Sequence, residues 1–146
     1  MLKKLFKSTS LLLFFILMLG SIASAAGNET VKSGESTVTR NGMEYVYYAE
    51  AYTYNETGIY AKATLKTKNG NYVSPNTMRV NVSLYDANNN LIKKTATAEN
   101  SVRATALSAS TNSGNRGTFY AVGEVQIYVG QKWETFTTLK TGTIKY

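Results

Sequence analysis

Three long segments of the chain alternate between an apolar and a more polar set of side chains, and this alternation constrains the fold most. It runs through residues 59–66, 78–85 and 119–129. A period of two residues places one set of side chains on a buried face and the other toward solvent. Because only one face is apolar, the pattern predicts half-buried antiparallel strands, not the continuous apolar strands of a parallel sheet.

Turn signals separate these segments at short intervals. Asn41-Gly42 and Asn69-Gly70 predict type I′ hairpins, which need positive φ at both central residues. The polar stretch Ser110–Gly117 predicts a mobile loop. Longer hairpin loops are predicted at 55–58, 86–90 and 140–142, and weaker strands at 45–54, 91–98, 102–108, 133–139 and 143–146.

No window has helical periodicity, and strands recur roughly every 8–12 residues, a spacing typical of sandwiches and small barrels. The sequence therefore predicts an all-β fold. We expect a single antiparallel β-sandwich, immunoglobulin-like or similar, with about eight strands of this kind.

The N-terminal segment has the organisation of a secretory signal peptide. Lys3, Lys4 and Lys7 precede an apolar run at 11–19, and small residues follow at 23–26. That run is too short to anchor the chain in a bilayer. We predict a signal peptide at 1–25 cleaved near Ala25 or Ala26, secretion to the extracellular side, and no membrane span afterwards. Residues 26–39 are expected to be a flexible polar leader, with an edge strand near Val38 as the alternative, and 40–146 the sandwich domain.

The chain contains no cysteine and no histidine. This excludes disulfide frameworks, zinc fingers, haem ligation, cysteine nucleophiles and Ser-His-Asp triads. The stretch Asp86–Asn90 begins like a calcium loop, but Leu91 and Thr97 stand where that loop needs glycine and glutamate. The carboxylates are scattered over different predicted strands and turns, whereas a glycosidase needs two that face each other. We expect no enzyme activity, no metal and no cofactor.

The positive charge is modest once the signal peptide is set aside. Loss of its three lysines lowers the formal net charge from +7 to +4. No motif for RNA or DNA recognition accompanies it. The sequence therefore predicts no nucleic-acid partner.

Tyrosine is the most informative bias, with 11 tyrosines against five phenylalanines and one tryptophan. An exposed tyrosine offers an apolar ring with a polar tip, which suits glycan stacking and protein interfaces. Tyrosine is also a good strand former that makes cross-strand pairs without any ligand, so a purely structural role is the alternative. The predicted ligand-binding surface combines outward tyrosines with lysines: Tyr60, Lys62, Lys66, Tyr120 and Tyr128.

The general style of the chain resembles that of small secreted β-proteins of Gram-positive, spore-forming bacteria. The signal peptide, Ser83–Lys94 and Gly117–Val125 carry this resemblance, which includes no diagnostic motif and assigns no functional residue. We expect a small non-catalytic binding protein that acts at the bacterial cell envelope or another extracellular surface. Its partner would be a cell-wall polymer, a glycan or an anionic surface. The alternative is a bacteriocin-like antimicrobial or toxin-like effector, and the oligomeric state stays open.

Overall fold

A computed structural model of the protein describes residues 28–146, so the predicted signal peptide and its cleavage site lie outside the described residues. Within them the chain is all-β, with eleven strands and no helix. No helix that could span a membrane occurs in this part of the chain. The strands are β1 Thr30–Lys32, β2 Ser36–Arg40, β3 Met43–Thr53, β4 Ile59–Thr67, β5 Met78–Asp86, β6 Leu91–Lys94, β7 Ala98–Glu99, β8 Ala106–Ser113, β9 Thr118–Val129, β10 Lys132–Thr137 and β11 Ile144–Lys145.

The strands form two antiparallel sheets. Sheet I has the order β1-β3-β4-β8, and β2 pairs with the first half of β3 beside β1. Sheet II has the order β10-β9-β5-β6, with β11 also pairing with β9 and β7 with β5. In both sheets, therefore, long central strands are flanked by shorter strands.

The apolar sets of both sheets share one buried cluster. Ile59 and Leu65 of β4, Leu84 of β5 and Ile127 of β9 are each 0% exposed. Full burial of such side chains contributes about 1.5–3 kcal/mol apiece to folding. This cluster is the main source of stability in a chain that has no disulfide.

The two sheets meet closely at Gly123 of β9. A Cβ atom at this position would lie 2.5 Å from Ala63 Cβ on β4 and 3.0 Å from Thr138 Cγ2. Real Cβ atoms do not approach one another to that distance, so the position requires glycine. The neighbouring inward residues are also small and fully buried: Ala49, Ala51, Ala61, Ala63 and Ala121.

Buried polar side chains are hydrogen-bonded throughout the described residues. Asn100, 4% exposed, is the best example. Its Oδ1 accepts from the amides of Thr77 (3.0 Å) and Met78 (2.7 Å). Its Nδ2 donates to the carbonyls of Ser74 and Val102. One side chain thus satisfies four backbone groups, three in loops and one at the first residue of β5.

The strongest sequence patterns coincide with strands. The alternating segments correspond to β4, β5 and β9, which confirms the all-β, antiparallel prediction. Asn41 and Gly42 have φ of 52° and 72° and join β2 to β3, as a type I′ turn requires. β1 and β2 lie within the segment predicted as a polar leader, and Val38 of β2 pairs with Tyr45.

Four expectations about individual elements were wrong. The loop predicted at 140–142 does not close a hairpin, because β10 and β11 each pair with β9 and not with each other. Asn69-Gly70 is not a type I′ hairpin, because only Gly70 of the two has positive φ and the next strand, β5, belongs to sheet II. Ser110 to Ser113 belong to β8 and not to a loop. They continue the pairing with β4, and Thr111 is buried between exposed polar neighbours, so the inward and outward alternation of the strand extends through them. The expected strand number was too low, because the polar leader adds two strands and the predicted strand at 91–98 divides into β6 and β7.

Candidate functional site

The five residues predicted to bind a ligand lie on two different sheets. Tyr60, Lys62 and Lys66 occupy alternate positions of β4 on the outward side of sheet I. Tyr120 and Tyr128 lie on β9 of sheet II, eight residues apart, which corresponds to about 26 Å along a strand. The fold therefore brings the β4 residues together and separates them from the two tyrosines of β9.

Tyr60 stands in a stacked pair. Tyr52 of β3 is its direct cross-strand partner, and the two rings lie 5.2 Å apart with planes inclined by 12°. The Tyr60 hydroxyl forms a 3.0 Å hydrogen bond with Thr57 Oγ1 in the loop between β3 and β4. Burial raises the pKa of the Tyr52 hydroxyl, with smaller contributions from Tyr60 and Glu50. Both rings are half-buried, so each keeps part of its surface open to solvent.

The row beside this pair is charged but largely neutralised. Glu50 of β3 lies between Lys32 of β1 and Lys62 of β4 in the strand register. Lys62 Nζ is 3.9 Å from Glu50 Oε2, and Lys32 Nζ is 2.8 Å from Glu35 Oε1. The hydrogen bond from Lys32 lowers the pKa of the Glu35 carboxyl. Such exposed pairs add little stability, but they cancel most of the positive charge expected here.

Tyr48 of β3 occupies the next outward position and carries two cations. Lys32 Nζ lies 3.6 Å and Lys66 Nζ 5.5 Å from the centroid of its ring. Both distances fall within the range of cation–π attraction. We call the outward side of sheet I formed by Lys32, Tyr48, Glu50, Tyr52, Tyr60, Lys62 and Lys66 the Tyr/Lys face.

Sequence reasoning missed the β1 and β3 members of the Tyr/Lys face. The signal for β3 was available, because a hairpin loop at 55–58 folds Tyr52 onto Tyr60 and Glu50 onto Lys62. No comparable local signal existed for Lys32. It reaches the face only because β1 pairs with β3 at the edge of the sheet.

Tyr120 differs from the expectation that its ring is exposed. The residue is only 7% exposed, and its ring stacks on Tyr85 at 5.3 Å with an angle of 12°. Its hydroxyl donates a 2.9 Å hydrogen bond to Asn89 Oδ1, and Lys140 Nζ lies 4.8 Å from the ring centroid. The alternation placed Tyr120 on the outward side, but the neighbouring loops cover it and leave little ring for a ligand.

Tyr128 belongs to a separate aromatic group near the end of β9. It is 38% exposed, and its ring lies 5.2 Å from that of Trp133 on β10. The Arg79 guanidinium lies 4.0 Å from the Trp133 ring centroid and forms a 2.6 Å ion pair with Glu99. The side chains of this group contact one another, and its cation, Arg79, is already paired with Glu99.

The carboxylates of the described residues are mostly engaged. Five of them form ion pairs with lysine or arginine. Asp86 accepts hydrogen bonds from the amides of Asn88 and Asn90 and from Asn90 Nδ2, and these bonds lower the pKa of its carboxyl. Residues 28–146 contain no cluster of three or more acidic side chains suited to a metal ion. Most carboxylates are therefore already engaged, and a ligand of the Tyr/Lys face would contact mainly aromatic rings and hydrogen-bonding groups.

Comparison of the chain with protein-family models, with curated proteins and with solved structures finds no significant match.

Proposed function

We propose that the protein is a secreted, non-catalytic binding protein that holds a glycan of the cell envelope or another extracellular surface on the Tyr/Lys face. The two sheets would form an immunoglobulin-like β-sandwich, exported by the signal peptide at 1–25. The observation that carries the proposal is the stacked Tyr52–Tyr60 pair beside a row of polar, ion-paired side chains. Sugars bind to such surfaces through C–H contacts with aromatic rings and hydrogen bonds to their hydroxyls.

The balance of charge favours a glycan over a strongly anionic surface. Lys32 and Lys62 are paired with Glu35 and Glu50, whereas Lys66 forms no close ion pair among the described residues and acts on the Glu35 carboxylate only at longer range. A single half-buried cation at the surface attracts a polyanion weakly at physiological salt. Ring contacts and neutral hydrogen bonds would therefore supply most of the affinity.

The polar surroundings of the tyrosine pair support the same ligand class. Across β4 and β8, Tyr60 is opposite Asn112, Lys62 is opposite Ser110, and Thr64 is opposite Ser108. Thr64 Oγ1 and Ser108 Oγ form a 3.0 Å hydrogen bond. Side-chain hydroxyls and amides can donate to and accept from sugar hydroxyls. A row of such groups beside two aromatic rings provides both parts of a sugar subsite.

The test is co-sedimentation of the purified protein with Gram-positive cell walls at low and high salt, comparing Tyr60→Ala with Tyr85→Ala. Both substitutions remove one ring of a stacked pair with nearly the same geometry, on sheets I and II respectively. We expect wild-type binding to survive high salt. Tyr60→Ala should weaken it about tenfold, equivalent to ~1.4 kcal/mol, whereas Tyr85→Ala should leave it within about twofold, a margin of ~0.4 kcal/mol.

Three results would contradict the proposal in distinguishable ways. Binding lost at high salt would assign the interaction to the lysines and an anionic polymer. An equal loss for both variants would show that the Tyr/Lys face is not the contact surface. No binding at either salt would remove the envelope role, and growth inhibition of indicator strains would then test the antimicrobial alternative.

A further inference from the structure

A groove runs along the free edge of sheet I, one strand beyond β4. β8 is the last strand of that sheet and pairs only with β4. The groove has a volume of about 540 Å³ and is open to solvent. One wall is the edge of β8, and the other is formed by the segment that contains β6 and β7. Its lining consists of Lys93, Lys94, Thr95, Ala96, Ala98, Ala109, Ser110, Thr111 and Asn112.

The register shows which backbone groups of β8 face this groove. The amide of Thr67 donates to the carbonyl of Thr105 at 2.9 Å, and the pairing continues through Lys66↔Ala106. In an antiparallel ladder, alternate residues direct both backbone groups to the same neighbour. The odd-numbered residues of β8 therefore bond to β4, whereas the N–H and C=O groups of 106, 108, 110 and 112 point to the free edge, where Ser110 and Asn112 line the groove.

Only one of these groove-facing groups has a partner within residues 28–146. Lys93 Nζ donates to the carbonyl of Asn112 at 3.3 Å. Natural sheet edges are commonly blocked by charged side chains, proline or a bulge. The sequence Ala106–Ser113 contains no charge and no proline, and its pairing with β4 has no bulge. The edge is thus ready to accept another strand.

The charge of the groove indicates what kind of strand it fits. Lys93 and Lys94 have no carboxylate partner among the described residues, and no acidic residue lines the groove. A second copy of the chain that paired β8 with β8 would bring both lysine pairs toward one another, which like-charge repulsion opposes. An acidic segment would instead neutralise them.

We propose that this groove binds an extended acidic peptide, which adds to sheet I as a strand beside β8. Main-chain hydrogen bonds to Ser110 in the groove, and to Ser108 further along the same edge, would supply affinity, as in other cases of strand addition to an open sheet edge. Carboxylates of the peptide would contact Lys93 and Lys94. Because Ala96, Ala98 and Ala109 are small, they leave space for alternate peptide side chains. This site contains no residue of the Tyr/Lys face as defined above and does not depend on the glycan proposal, although Ser110 and Asn112 border both the groove and the proposed sugar subsite.

The experiment uses a fluorescein-labelled peptide of five Glu-Val repeats and the purified protein, with fluorescence anisotropy as the readout. A peptide of five Lys-Val repeats is the charge-reversed control. Ser110→Pro removes an N–H that points to the groove while leaving the bonds to β4 intact, because proline is tolerated at such edge positions. Ser110→Ala keeps that N–H and is the matched control. Circular dichroism and the thermal midpoint establish that both variants fold.

We expect saturable binding of the Glu-Val peptide, weakened at least about tenfold (~1.4 kcal/mol) by Ser110→Pro and less than about twofold by Ser110→Ala. Lys94→Glu should weaken it as well. A Glu-Val peptide methylated on the backbone nitrogens that face β8 should also bind poorly, and this result stands even if Ser110→Pro fails to fold.

The proposal is overturned if the Glu-Val peptide shows no saturable binding up to about 1 mM. It is also overturned if the Lys-Val peptide binds equally well, or if a folded Ser110→Pro binds as tightly as wild type. Sedimentation velocity supplies the remaining outcome. A dimer that Ser110→Pro dissociates would identify a second copy of the chain as the occupant and contradict an acidic peptide.

Discussion

The outward sides of the two sheets carry the same aromatic unit in different surroundings. Tyr52–Tyr60 on sheet I and Tyr85–Tyr120 on sheet II are both cross-strand pairs, 5.2 and 5.3 Å apart with 12° between their planes. On sheet II, Asn89 and Lys140 cover Tyr120. On sheet I, both rings remain half-open. The strands thus form the pair, whereas the adjoining loops decide whether a ligand can reach it.

The largest expected effect is a loss of global stability, which would unfold both sheets together. Leu65 of sheet I and Leu84 of sheet II are each 0% exposed in the shared cluster. Leu65→Ala and Leu84→Ala should each lower the free energy of unfolding by about 3 kcal/mol, because each leaves a cavity in a common interior. Chemical denaturation followed by fluorescence and circular dichroism measures this. Two separate transitions, or a loss below about 1 kcal/mol in one variant, would show that the sheets do not share one core.

A smaller effect on stability should distinguish the Tyr85–Tyr120 pair from the Tyr52–Tyr60 pair. Tyr120→Phe removes a hydroxyl that donates to Asn89 at a 7% exposed residue, so we expect a loss of about 1 kcal/mol in unfolding free energy. Tyr60→Phe removes the bond with exposed Thr57, where water can replace the partner, so the loss should stay below about 0.5 kcal/mol. Urea denaturation of both variants is the measurement. Equal losses would contradict a structural role confined to Tyr120.

The smallest expected effect is a loss of stability at alkaline pH. It arises from two tyrosines of β3 in sheet I, and it is absent at neutral pH. Burial raises the pKa of Tyr45, and burial together with Tyr60 and Glu50 raises that of Tyr52. An unfolded tyrosine loses its proton near pH 10, so above about that pH the unfolded state gains an advantage. The stabilisation is fully present below pH ~10 and is lost as pH rises through the raised pKa values.

Urea denaturation across the range from neutral to strongly alkaline pH tests this expectation. Tyr45→Phe should make the decline in unfolding free energy shallower, because the variant has no proton to lose at that position. A decline of unchanged steepness would show that the Tyr45 hydroxyl ionises equally in both states.

Local chemistry was enough to predict the central strands. Alternation marks β4, β5 and β9 because the apolar residues of each are concentrated on its inward face, and Asn41-Gly42 marks a turn because both residues need positive φ. β8 was partly missed because its inward residues include Thr111, which no hydropathy pattern separates from an outward threonine. The hairpin of β9 and β10 turns through Gly130 and Gln131, both with positive φ, and glutamine gives no turn signal.

The candidate site was less predictable than the fold, for reasons of pairing. Sequence placed Tyr60, Lys62 and Lys66 on one side of one strand, and the structure agrees. It could not show that Lys32 would join them, since that depends on β1 pairing with β3. Nor could it show that Tyr120 is covered, since that depends on a loop in which Asn89 adopts φ of 66°.

The close approach of the sheets at Gly123 has an entropic consequence for the Tyr/Lys face. Beneath the centre of that face, Ala49, Ala51, Ala61 and Ala63 form the inward layer of sheet I, and Gly123 of sheet II approaches Ala63. Alanine and glycine have no rotamers to lose, so ordering this layer costs backbone entropy alone. The layer also has no alternative side-chain arrangements into which it could rearrange. The positions of the tyrosines on the outward side can therefore change only if the backbone of β3 and β4 moves.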